Sequence, residues 1–211
     1  MKLTNIIKIK GDWAEVLDDA RLTAGKASLG KEPSQEWKRK ILISEHSPIR
    51  ALIFKWDWRD IMSWVATHWV RHKWESLVKT QRTDRTGINR NELLQSELVN
   101  FRGEANTQHL IDTWRKRLCY KASPETRGLA EDFKVSLRGL EPEVSDVLVP
   151  NCVYRCGCPE EECCGKWFEF RQWCKTEHGN PPEVYSISVR YALYNEWFYE
   201  VYYEQSLPSE E

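Results

Sequence analysis

An α+β domain is what this chain predicts, and three observations carry that reading. The run Ala51-Leu52-Ile53-Phe54-Lys55-Trp56 alternates like a half-buried strand, and residues 50–57 are assigned to it. Elsewhere apolar residues recur at helical spacing, most clearly Leu110, Ile111, Trp114 and Leu118. At 211 residues the chain can bury a substantial core, and one domain over residues 1–206 is the economical division.

Residues 2–10 read as a short strand and 12–20 as a short helix. A helix follows from Pro33 or Ser34 to about Ser44. Ser34 lacks an acid three residues on to complete a capping box, yet Glu36 in the first turn suits the helix dipole. The strand at 50–57 leads into a helix from Arg59 to Lys73. Trp74 to Ile88 reads as extended or looped, because its Thr-Asp and Thr-Gly steps break helical phase. Helices are expected over Asn89–Phe101, Thr107–Ala122 and Pro124–Leu137, with a shorter one from Pro142 to Leu148 that stops before Pro150. From Pro182 to about Tyr203, the residues Val184, Ile187, Tyr191 and Tyr194 fall at helical spacing; the many β-branched and aromatic neighbours leave a strand open. The tail at 207–211 is expected to be disordered.

The net charge of -1, with 30% charged residues, argues against a globally basic nucleic-acid binder and leaves room for a local patch. Lys2, Lys8 and Lys10 near the start are followed by no long apolar run. Neither a signal peptide nor a membrane span is indicated, and a soluble, cytoplasmic protein is expected. Of the 11 tryptophans, Trp56, Trp58, Trp64, Trp69 and Trp74 crowd one region. Such rings fill a core or wall a planar pocket. Helical phase assigns Trp69 to the core, along with Met62 and Val65.

On a helix from Arg59 to Lys73, His68, Arg71 and His72 stand at i, i+3 and i+4 and share one face. Two imidazoles, a guanidinium and Lys73 suit an anionic, planar ligand, since guanidinium forks bind phosphate bidentately. A solvated basic face fits the spacing equally well.

Six cysteines, Cys152, Cys156, Cys158, Cys163, Cys164 and Cys174, lie in one short stretch, and Cys119 stands apart. Three or four converging thiolates would hold zinc or an iron–sulfur cluster, with Cys152, Cys156, Cys158, Cys163 and Cys164 the candidate ligands. The paired Cys-x2-Cys knuckles that mark such sites are missing. Reduced, metal-free cysteines remain open, and so do disulfides. A thiolate beside cations would also serve as a nucleophile.

The segment Glu45-His46-Ser47-Pro48, the alternating run, the helix and then Arg71-His72-Lys73 with Ser76 resemble, in order and spacing, the signature region of the flavin-dependent thymidylate synthases (ThyX). Asp18-Asp19-Ala20-Arg21 with Gly25-Lys26-Ala27-Ser28 resembles the family's N-terminal Ala-Arg-x-Ser neighbourhood. Residues 143–150, with Tyr154 after them, resemble its Glu-x-Ala-Arg-x-x-Leu-Pro element, and Glu183-Val184 resembles the Glu-Ile of its last helix. Departures fall in the chemistry. Val78, Lys79, Gln81 and Thr83 stand where the family has Asn-Glu and Ser-x-Arg, His68 replaces a glutamine, and Asp146 replaces an arginine. Aspartate there opposes a phosphate, while lysine for arginine keeps charge without the fork.

The resemblance implies a ThyX-like fold, an antiparallel sheet packed with helices, in a homotetramer. It implies transfer of a one-carbon unit from methylenetetrahydrofolate to C5 of dUMP on reduced FAD, with NADPH as reductant and the flavin carrying the redox chemistry. His46, Ser47, Arg71, His72, Lys73 and Lys166 would bind FAD; His68, Gln81, Arg82 and Lys175 would bind the nucleotide. No catalytic side chain is assigned. In the family pattern the cysteine cluster falls near the ligand site. Another C5 modification of a pyrimidine nucleotide fits the changed residues as well, and a non-catalytic binding protein on the same fold with a cysteine metal site is a further alternative.

Overall fold

The structure, a computed structural model, describes residues 3–203. Four strands, β1 (Thr4–Lys10), β2 (Ile53–Met62), β3 (Glu75–Val78) and β4 (Leu98–Asn106), form one antiparallel sheet in the order β1-β2-β4-β3. Around it lie α1 (Trp13–Thr23), α2 (Gln35–Ile43), α3 (Ser63–Trp69), α4 (Thr83–Thr86), α5 (Thr107–Arg117), α6 (Pro124–Arg138), α7 (Pro142–Val147), α8 (Asn151–Tyr154), α9 (Lys166–His178) and α10 (Ile187–Glu196). The expected antiparallel sheet packed with helices is therefore present. None of the helices among the described residues is long and apolar enough to cross a membrane. The tail expected to be disordered, residues 207–211, lies outside the described residues.

The sheet alternates as a two-faced strand pattern requires. Trp56, Trp58, Phe101 and Gly103 share its core face; Arg102 and Asp57 pair on the other at 2.6 and 2.9 Å. On the core face Trp56 meets Trp58, Trp74, Trp114 and Phe133 edge-on, with ring centroids 5.1 to 6.2 Å away. Edge-to-face contacts of this kind add about 1 kcal/mol each beyond area burial. Trp114 on α5 and Phe133 on α6 thereby fix those helices on the sheet. Gly103, paired with Trp56 across the ladder, leaves room for the indole: a Cβ there would stand 2.3 Å from the ring.

Three expected elements are corrected. The helix read from Arg59 to Lys73 is a strand as far as Met62 and a helix only from Ser63 to Trp69. A register shift between Trp58 and Ile61, with Asp60 at φ 52°, returns Ile61 to the core face opposite Val99, so the sheet claims these residues. Arg71 and His72 consequently lie in the turn after α3 and do not share a helix face with His68. Val65 and Trp69 are buried as expected.

The helix read over Asn89–Phe101 is a 3-10 turn at Arg90–Glu92 followed by β4. Val99, Phe101, Gly103 and Ala105 are buried in strict alternation, so period two prevails. The strand expected at 50–57 begins at Ile53, because Pro48 opens a 3-10 turn over Ser47–Ala51. Helix α9 is an addition: Trp167, Phe170 and Cys174 recur at helical spacing and are buried.

Local chemistry sets the remaining boundaries. Ser34 does cap α2, accepting from the Trp37 N–H at 3.3 Å. Asn106 ends β4 and caps α5 at once, accepting from the His109 N–H at 3.0 Å. With no loop between β4 and α5, the polar face of α5 stands in a fixed relation to the sheet. From Pro182 the chain forms a 3-10 turn, then α10, then a π-helical stretch over Trp197–Tyr203, so the strand alternative is not taken up.

Candidate functional site

Three segments converge on a cleft of about 500 Å³. The turn after α3 supplies Arg71, His72 and Lys73; α5 supplies Asp112, Arg115 and Lys116; α8 and its end supply Tyr154 and Arg155. Five cationic side chains thus face one carboxylate, Asp112, in a chain whose net charge is -1. Among the described residues, Arg71, Lys73, Lys116 and Arg155 have no ion pair. A concave wall with an excess of positive charge focuses its field and draws anions.

Arg115 is the rigid member. Its side chain is 10% exposed and closes a two-point ion pair on Glu45, donating from Nη1 to Oε2 at 3.2 Å and from Nη2 to Oε1. Gln108 donates to the same carboxylate at 2.7 Å. The guanidinium lies 3.6 Å over the Tyr154 ring. Glu45 itself has φ 52°, a left-handed conformation costly outside glycine, held here by its partners. This pair ties the Glu45-His46-Ser47-Pro48 segment to the cleft wall. His46 and Ser47 are exposed at the start of the 3-10 turn and do not line the cleft.

His72 is half-buried on the cleft wall, and Arg117 Nε donates to its Nε2 at 2.8 Å. Burial, then the Arg117 and Lys116 charges, push its pKa down to about 4. His68 points elsewhere: its Nδ1 shares a hydrogen bond with Thr126 Oγ1 at 2.8 Å on α6. Burial lowers its pKa too, followed by the Arg117 and Arg71 charges.

The other expected ligand residues are not brought to this cleft. Gln81 lines a separate hollow of about 240 Å³ with Lys79 and Ile88. Arg82 is exposed and engaged with Asp84 at 3.0 and 2.8 Å. Lys166 opens α9, pairs with Glu169 and sits 4.8 Å over the Tyr120 ring. Lys175 is exposed on α9. Asp146 lines a different cavity, of about 770 Å³, with Arg138 and Tyr199, so its charge does not act against an anion in the basic cleft. Arg115, Lys116 and Arg155 were missed from sequence; the run of cations from Arg115 to Arg117 in the last turn of α5 was the available signal.

The cysteines form two groups. Cys119, Cys152 and Cys164 line one cavity of about 30 Å³, and Cys158 contacts Cys163 beside it. Burial, followed by Cys119, Cys164 and Cys158, pushes the Cys152 thiol up to about 12. Cys156 is partly buried against the core, and Cys174 is fully buried in it. All seven are free. Among the described residues no three His, Cys, Asp or Glu side chains form a group that could hold a metal ion as they stand.

No family model matches the chain, and no curated protein matches it. Among solved structures it is similar to a UMP/dUMP methylase, PolB from Streptomyces cacaoi, bound with 5-Br dUMP. The TM-score is 0.56 at 14% identity, over 68% of this chain and 93% of that one. At that identity the likeness shows a shared fold.

Proposed function

We propose that the chain modifies C5 of a pyrimidine nucleotide, with dUMP the expected substrate, and that flavin serves as its cofactor. The observation that carries this reading is the basic cleft built around Arg71, Lys73, Arg115, Lys116 and Arg155. The shared fold with a UMP/dUMP methylase supports it, as does the family resemblance of the Arg71-His72-Lys73 region.

The donor set fits a phosphate or diphosphate. Arg71 and Arg155 would grip it as forks, Lys73 and Lys116 as point charges. These residues suit the diphosphate of FAD as well as the phosphate of a nucleotide. Bound flavin, re-reduced by NADPH, would supply the electrons that reduce a one-carbon unit drawn from methylenetetrahydrofolate. The chain's own part is to bind and orient. Arg115, held by Glu45, fixes the floor of the cleft, while Arg71, Lys73, Lys116 and Arg155 are the exposed cations that would meet the anion.

Equilibrium dialysis of dUMP, with and without added FAD, tests the reading. Saturable binding that weakens as salt rises supports it; absence of binding under both conditions sinks it. A homotetramer, which the resemblance implies, is checked by sedimentation of the same sample.

A second reading is favoured by Cys119 joining Cys152 and Cys164 at one cavity: a binding protein with a soft metal at its thiols. Metal would need the loop around residues 156–164 to draw its sulfurs together. Stoichiometric zinc or iron in a protein that binds no nucleotide would favour this reading.

A further inference from the structure

A guanidinium carries N–H donors and no acceptor, so a ring nitrogen that it bonds has to accept. Arg117 Nε donates to His72 Nε2 at 2.8 Å, and its Nη2 donates to the His68 carbonyl at 2.7 Å. Two donors of one rigid fork on two acceptors set the plane of the guanidinium. The imidazole is held as well. Its ring centroid lies 6.0 Å from that of Trp69 and 5.1 Å from that of Trp74. Its backbone N–H donates to Trp69 O at 3.2 Å, and the Trp74 N–H donates to His72 O at 2.9 Å. With Nε2 committed as an acceptor, the proton of the neutral ring belongs on Nδ1.

We propose that Arg117 is a positioning residue that holds His72 as the Nδ1–H tautomer, making it a neutral hydrogen-bond donor within the basic cleft. The nucleotide reading above supplies the ligand, an oxygen acceptor on nucleotide or flavin; the tautomer itself stands without it.

The charges around the ring point the same way. Arg117 and Lys116 face it from α5, Arg71 and Lys73 flank it in the turn, and Arg155 lies across the cleft, against one carboxylate, Asp112. A second ring proton would set a new cation against the guanidinium and take away its acceptor. A neutral donor also differs in kind from its neighbours. The cations attract any anion and are screened by salt, whereas an oriented N–H selects for the position of an acceptor atom.

The test is the pair of imidazole nitrogen shifts in the full-length, ligand-free protein labelled with 15N-histidine, with His72→Gln to assign the signal. The expected spectrum at neutral pH shows a protonated Nδ1 and a bare Nε2, and the ring stays singly protonated down to about pH 5, above the pKa of about 4. In Arg117→Leu the Nδ1–H signature is lost and the titration moves up from about 4, staying below the ordinary histidine value because burial, the larger cause, and Lys116 remain. Arg117→Lys, which keeps a donor, retains the signature. A proton on Nε2 or a doubly protonated ring in the native protein at neutral pH would overturn the proposal, and so would an unchanged Arg117→Leu spectrum. The native spectrum alone decides should Arg117→Leu fail to fold. Added dUMP separates the two ideas: an Nδ1–H ring in a protein that binds no dUMP leaves the positioning role intact and removes the nucleotide reading.

Discussion

Arg115 and Glu45, 70 residues apart, form a two-point ion pair that fastens the link between α2 and the following 3-10 turn to the helix after β4. The pair lies beneath the basic cleft, so the same contact holds the fold and shapes the site. Removing one partner strands a largely buried charge, which costs about 3–5 kcal/mol in comparable pairs. Arg115→Met is expected to lose stability near the lower end of that range, because the Glu45 side chain is 21% exposed. Urea unfolding measures it. The double variant Arg115→Met/Glu45→Gln should lose less than the two single losses added together, since neither charge is then left alone.

Gly103→Ala is expected to destabilise by about 1–3 kcal/mol, the usual cost of overpacking a filled core. The new Cβ would stand 2.3 Å from the Trp56 indole, which edge contacts hold from several sides. Thermal unfolding together with tryptophan fluorescence reads both the loss and the displacement of the ring. An unshifted melting temperature would contradict this packing.

Lys134 is fully buried, donating to Ser145 O at 2.7 Å and Asn195 Oδ1 at 2.6 Å, and burial pushes its pKa down to about 7 from 10.5. Between those two values the unfolded chain holds a proton that the folded protein does not. Stability therefore rises with pH across that window, by up to about 1.4 kcal/mol per unit. In Lys134→Met this part of the slope should disappear. Urea midpoints of both proteins, compared near pH 7 and pH 9.5, show whether it does.

Burial pushes the thiols of Cys152 and Cys174 up to about 12. Both are expected to resist iodoacetamide in the native protein at neutral pH and to react only on unfolding, since the thiolate is the nucleophile. Mass mapping of labelled peptides settles this. Native labelling of either at the rate of an exposed thiol would contradict its placement.

Helices α5 and α6 were legible because their apolar stripes are regular and Asn106 and Ser123 precede them as caps, with Pro124 opening α6. The sequence around Arg59–Met62 misled because a bulge at Asp60 shifts the apolar positions by one, which imitates a change to helical period. Asn89–Phe101 misled for a different reason: the alternation of β4 extends to Ala105, beyond the end of the helix expected there. Part of the site was readable too. Arg71, His72 and Lys73 are neighbours in sequence and remain neighbours in the cleft. Arg115, Arg117 and Arg155 join them only through tertiary packing, and a cation at the end of a helix reads like any solvated charge until its partner is seen.

Whether the basic cleft holds flavin and nucleotide is decided by the absorbance spectrum of purified protein, native and Arg71→Ala, followed by a dUMP titration of each. Flavin bands and saturable dUMP binding are expected in the native protein. In the variant both should weaken by about tenfold or more, as loss of a charge-assisted phosphate contact implies. A colourless native protein that takes up no added FAD and binds no dUMP would contradict that expectation.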